Sequence, residues 1–107
     1  MNKLRIASDI VAMVGRVHRL AGGIARRDAD LARQLRRASS SVGLNFAEGV
    51  HAPGGHRRSR LSTAINSARE VSFGLRIAAE CGYLQGAETE LDRLDHITAV
   101  LWKLSHR

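Results

Sequence analysis

Residues 33–49 read RQLRRASSSVGLNFAEG. Three arginines, three consecutive serines and an Asn/Glu pair surround a few large apolar residues. Counting from Leu31, the apolar positions Leu35, Ala38, Val42 and Phe46 follow at steps of four, three, four and four. That spacing is one stripe of an amphipathic helix. Arg37, Ser41, Asn45 and Glu48 form a second line, at steps of four, four and three, running beside the stripe. Such a line can serve as a catalytic site, a grip on nucleic acid or the seam between two helices. Asn45 lies nearest the stripe, where a partly buried amide must find partners. Glu48 is in reach of Arg60 or Arg69 of a following helix, or of Arg37. These placements favour the seam, with Gly49 closing the segment.

The same period extends in both directions. Ile10, Val14, Val17, Ala21 and Ile24 predict a first helix over 3–22, ended by Gly22-Gly23. Gly15 lies within it and offers a place where a neighbouring helix can come close. The second helix, 28–49, starts at Asp28 or Asp30, either of which suits a helix N-terminus. GVHAPGGH follows at 49–56, with three glycines and the chain's single proline, and predicts the longest and most mobile connection. Leu61, Ile65, Ala68, Leu75 and Ala79 predict a third helix over 57–81, closed by Gly82. Leu91, Leu94, Thr98 and Leu101, with Trp102 beside them, predict a fourth over 87–105. Short connections favour antiparallel neighbours. The expected fold is all-α, an antiparallel up-down-up-down four-helix bundle forming a single domain of 107 residues.

Composition agrees with helices. Hydrophobic residues make up 44% of the chain but only 4% are aromatic, so a β-sandwich core is poorly supplied. Seventeen Lys+Arg against ten Asp+Glu give +7, and all the cations except Lys3 and Lys103 are arginine. A polyanionic partner, nucleic acid before membrane, is the natural expectation. Arg26, Arg27, Arg33 and Arg36 form a candidate basic strip, with Arg33, Arg36 and Ser40 on the solvent side of the second helix. Arg57, Arg58 and Arg60 at the start of the third helix form a second candidate group, where the helix dipole assists phosphate binding. Few exposed aromatics are expected, hence little base stacking and little sequence specificity.

Other chemistry finds little support. The single cysteine, Cys81, rules out an internal disulfide and reads as a packed, inert thiol. His18, His51, His56, His96 and His106 match no metal-binding spacing, so no metal or cofactor is expected. GVHAPGGHRRS lacks the G-K-S/T ending of a phosphate-binding loop. Ser39, Ser40 and Ser41 have no histidine placed by sequence to activate them, and no enzyme is expected. No apolar run approaches a membrane span, and Asp9 interrupts the only signal-like start, so the expected location is the cytoplasm.

The stretch QLRRASSSVGLNFAEG resembles the bacterial four-helix-bundle proteins encoded in intervening sequences of 23S ribosomal RNA genes, often called the S23 ribosomal protein family. The family motif runs approximately Q-L/I-R-R-A-x-x-S-I/V-x-x-N-I/L-A-E-G. Gln34, Arg36, Arg37, Ala38, Ser41, Val42, Asn45, Ala47, Glu48 and Gly49 match it. The similarity continues through RRS at 57–59, AINSAREV at 64–71 with Ser67 and Glu70, and GYL at 82–84. Two features depart from it: Gly43 stands where the family usually has proline, and the loop VHAPGGH is longer than usual. The resemblance implies a bundle that assembles as a ring, commonly a homopentamer, without established catalytic activity. Related bundles are accessory factors to the reverse transcriptases of diversity-generating retroelements.

Within such a ring, Phe73 and Ile77, which fall together away from the core stripe of the third helix, and Leu44 become candidate subunit contacts. The expected function is a non-enzymatic, ring-forming module that binds RNA or DNA or scaffolds a ribonucleoprotein, with a reverse transcriptase as a further partner. The alternative is an adaptor that docks a protein through the ring without touching nucleic acid.

Overall fold

The computed structural model describes residues 3–107 as four helices: α1 Lys3–Ile24, α2 Ala29–Gly49, α3 Gly54–Glu80 and α4 Glu88–Ser105. Each packs on the next in chain order, and α4 returns to α1. This is the up-down-up-down arrangement. The bundle is elongated, with extents of 42 × 22 × 18 Å. The seam between α1 and α4 is the thinnest of the four.

One apolar core runs the length of the bundle. Ile6, Ile10, Met13, Val17, Ala21 and Ile24 supply it from α1, and Ala32, Leu35, Ala38, Val42 and Phe46 from α2. The details depart from the expected stripes in a consistent way. Ala78, not Ala79, is buried, because a 3.6-residue period needs a step of three after the step from Val71 to Leu75. For the same reason Met13 sits deeper than Val14, and Ile97 and Leu104 take the α4 positions that Leu91 and Thr98 only partly fill.

The helix ends also differ from expectation. Gly22 and Gly23 do not stop α1; it continues to Ile24, whose complete burial outweighs the helix cost of two glycines. Gly15 does not admit a neighbouring helix, since a side chain there would meet only Arg19 of its own helix. Asp28 caps α2, its carboxylate accepting from the Leu31 N–H at 2.9 Å. The connection after α2 shrinks to 50–53, because Gly54, Gly55 and His56 join α3. Arg57 holds this turn in place by donating to the Val50 carbonyl at 2.7 Å and the Leu104 carbonyl at 3.2 Å.

The longest connection is therefore 81–87, between α3 and α4. There Gly82 ends α3 at φ 78°, with the Tyr83 N–H donating to the Ala78 carbonyl and the Gly82 N–H to that of Ala79. This paired closure requires a left-handed residue, and glycine adopts it without strain. Cys81 is exposed at this cap, not packed as expected, because the buried face of α3 ends at Ala78.

Candidate nucleic-acid interface

The polar line of α2 faces α3. Arg37 pairs with Glu70, the Ser41 and Ser67 hydroxyls lie 2.8 Å apart, and Glu48 pairs with Arg60 at 3.3 Å. Asn45 stays within its own helix, donating to the Ser41 carbonyl at 3.0 Å and the Ser41 hydroxyl at 3.1 Å. Gly49 ends the line because α3 comes too close for a side chain: a Cβ there would stand 2.8 Å from Arg60 Cβ. At Gly74 of α3 the buried Leu35 side chain fills the space over the glycine, so that a Cβ would stand 2.7 Å from Leu35 Cδ2. The α2–α3 seam is thus built from short residues and paired charges, and its polar groups are already used by one another.

The candidate arginines do not form one strip. Arg26, Arg27, Arg33 and Arg36 lie toward one end of the bundle, and Arg57, Arg58 and Arg60 at the other. Along α2, about 18 Å at 1.5 Å per residue lies between Arg36 and Glu48, the partner of Arg60, so the two groups are apart. Many of these cations are also engaged within the chain. Arg33 bonds Asp30, the Arg27 guanidinium lies 5.3 Å from the centre of the Tyr83 ring, and Arg57 and Arg60 hold the contacts described above. Arg36 and Ser40 are not solvent-facing as expected but half-buried. Arg36 leans over Gly22, and Ser40 lies 3.1 Å from His18 Nε2, because this side of α2 packs on α1.

What the fold brings together is a polarised charge distribution. In the half of the bundle formed by residues 3–13, 40–66 and 97–107, seven Lys/Arg face two acidic residues, Asp9 and Glu48. This half therefore holds +5 of the formal +7, together with His51, His56 and His106. The opposite half has ten Lys/Arg but eight acidic residues. Lys3, Lys103 and Arg107, which no helical pattern singles out, join Arg58 at this end only when four helices are stacked antiparallel.

The apolar surface is likewise divided. Phe73 and Ile77, both exposed, border a groove between α2 and α3 floored by Leu31, Leu35 and Gly74. Leu44 is not beside them; it lines a separate groove between α1 and α2 with Val11, Val14 and Gly43. Phe73 is 60% exposed, in keeping with its place off the core stripe of α3, whereas Trp102, expected beside the α4 stripe, presents 52% of its surface to solvent.

The α1–α4 seam contains a charge cluster that the sequence reading missed. The Glu90 carboxylate, only 7% exposed, accepts from Arg16 Nε at 2.6 Å and Arg16 Nη2 at 3.1 Å, with Arg93 at 3.7 Å. The hydrogen bonds to Glu90 hold the Arg16 guanidinium above its ordinary pKa, against a smaller opposing effect of burial. The signal for this was Glu90 itself, an acidic residue four positions before Leu94 and so in register with the core stripe. Beside the pair a groove of about 440 Å³ runs along Arg5, Asp9, Asp92 and His96. Among the described residues no group of three or more His, Cys, Asp or Glu is placed to hold a metal, and no buried side-chain polar atom lacks a partner. No helix among the described residues is long and apolar enough to cross a membrane.

Residues 2–104 match a sequence family described as 23S rRNA-intervening sequence protein. The fold is similar to a crystal structure of a protein of unknown function from the S23 ribosomal protein family of Bacteroides thetaiotaomicron. The two share 17% identity and superpose with a TM-score of 0.86 over 95% of this chain and 99% of that one. No curated protein sequence matches the chain.

Proposed function

The chain belongs to the 23S rRNA-intervening sequence protein family, and from that premise we propose that it is a non-catalytic, ring-forming module that binds nucleic acid through the basic end of its bundle. The observation that carries this reading is the concentration of +5 in the half that contains the α2–α3 turn. A cationic surface confined to one end attracts phosphates there and releases their counterions on contact. Closing several copies into a ring about an axis along the bundles sets these ends on one face, where their fields add.

The two apolar grooves support assembly. A ring requires two different, complementary surfaces on each subunit. The α2–α3 groove with Phe73 and Ile77, and the α1–α2 groove with Val11 and Leu44, lie on different sides of the bundle and supply two different apolar surfaces for such contacts. The same grooves favour a second reading, an adaptor that docks another protein through them, and the retroelement resemblance adds a reverse transcriptase as that partner. The site of action in either case is the cytoplasm.

Light scattering coupled to size exclusion on nuclease-treated protein, with and without a mixed RNA/DNA oligonucleotide at two salt concentrations, tests the proposal. A ring that takes up oligonucleotide at low salt and releases it at high salt is the expected result. A monomer, or a ring that ignores nucleic acid at both, overturns it in favour of the adaptor.

A further inference from the structure

At the basic end, α4 finishes with an exposed aromatic pair. The Trp102 indole lies on the His106 imidazole with ring centroids 3.9 Å apart and an interplanar angle of 23°. Trp102 keeps 52% of its surface in solvent, although tryptophan is mostly buried in small domains. Hydrogen bonds hold the pair in this arrangement. His106 Nδ1 lies 2.8 Å from the Trp102 carbonyl and 2.9 Å from the Ser105 hydroxyl, which itself donates to the Trp102 carbonyl at 2.8 Å. Arg57 fixes the same turn by donating to the Leu104 carbonyl. Lys103 and Arg107 flank the pair in sequence, and Arg58 enters the same end from α3; none of these three forms an ion pair among the described residues.

We infer that Trp102, backed by His106, is a stacking platform for an unpaired base of single-stranded nucleic acid whose phosphates run over Lys103, Arg107 and Arg58. This rests on the nucleic-acid reading above and adds to it a subsite and a strandedness. A π-surface is recognised by every base, whereas in a duplex the base faces are covered by their neighbours, so only an unpaired base can stack. The surrounding charge selects a polyanion, and a platform already held in place loses little freedom on binding. One aromatic pair gives strand preference without sequence preference.

Trp102 is the only tryptophan in the chain, so its fluorescence reports on the site directly. The full-length, nuclease-treated protein is titrated at low salt with oligo-dT, oligo-U, a blunt DNA duplex of equal length and heparin, which is a polyanion without bases. Oligo-dT and oligo-U are expected to quench the emission strongly, and duplex and heparin weakly. Anisotropy with labelled oligonucleotides should show Trp102→Ala weakening single-strand binding about 5- to 100-fold, with Trp102→Tyr recovering most of it. Heparin and duplex affinities should not change. A Trp102→Ala protein with wild-type circular dichroism and undiminished single-strand affinity, or with an equal loss for heparin, overturns the platform and leaves the nucleic-acid reading standing. Absence of binding to every nucleic acid at low salt overturns both.

Discussion

Gly49→Ala isolates the close approach of α2 and α3. Alanine is favoured over glycine within a helix by up to about 1 kcal/mol, and the φ of Gly49 lies outside the left-handed region, so on propensity alone the change should stabilise. Against this, the new methyl would stand 2.8 Å from Arg60 Cβ and 3.2 Å from Leu61 Cγ and Cδ2. Arg60 Cβ is the root of its side chain, so rotation cannot relieve the contact and α3 itself must shift. Overpacking of this kind costs about 1–3 kcal/mol, which outweighs the propensity gain and leaves a net loss of up to about 2 kcal/mol. Gly23→Ala is the matching control, because Gly23 is helical and a Cβ there has nothing within 4 Å. It should gain about 0.5–1 kcal/mol. Urea unfolding followed by circular dichroism, at one fixed protein concentration, should therefore move the two midpoints in opposite directions. A Gly49→Ala midpoint at or above wild type would refute the reasoning, since it would mean that the seam has room for a methyl group.

Removing Glu90 leaves the partly buried Arg16 without its partner, and Glu90→Ala should cost about 1–3 kcal/mol. A double-mutant cycle on Arg16 and Glu90 should give a clear coupling, whereas the exposed Arg37–Glu70 pair should give less than about 0.5 kcal/mol; equal couplings would contradict this ranking. Arg57→Ala removes the bonds to the Val50 and Leu104 carbonyls and should destabilise by about 1–3 kcal/mol, read in the same unfolding assay. For binding, Arg58→Glu with Arg107→Glu should weaken oligonucleotide affinity at low salt and flatten its salt dependence more than Arg33→Glu with Arg36→Glu. Anisotropy across a salt series decides between the two ends of the bundle.

The α2–α3 seam shows how far residue spacing carries. Asn45 reads as partly buried from its angle to the apolar stripe alone, and Glu48 has Arg60 among its three possible partners, because positions along one helix are fixed by its period. Choosing Arg60 over Arg69, and giving Arg37 to Glu70 instead, requires the register of α3 against α2. Gly74 shows the reverse case: in sequence it is a weak point in a helix, and only the approach of Leu35 gives it a reason. Arg57 read as a phosphate contact because it sits at a helix start, yet in the fold it is bound to two backbone carbonyls.

The sequence by itself determined the four helices, their antiparallel order and most of the core, because these follow from a 3.6-residue period, short connections and a few capping residues that act locally. It also determined the excess of positive charge. Where that charge gathers was decided only by tertiary structure. Lys3, Arg58 and the neighbouring Lys103 and Arg107 come from three distant parts of the chain, and they share one end of the bundle because antiparallel packing brings the start of α1, the α2–α3 turn and the end of α4 there. The same packing parts Leu44 from Phe73 and Ile77, buries Glu90 against Arg16, and leaves Trp102 facing solvent. Each of these depends on which face of a helix its neighbours cover, and a helix's own period leaves that choice to its neighbours.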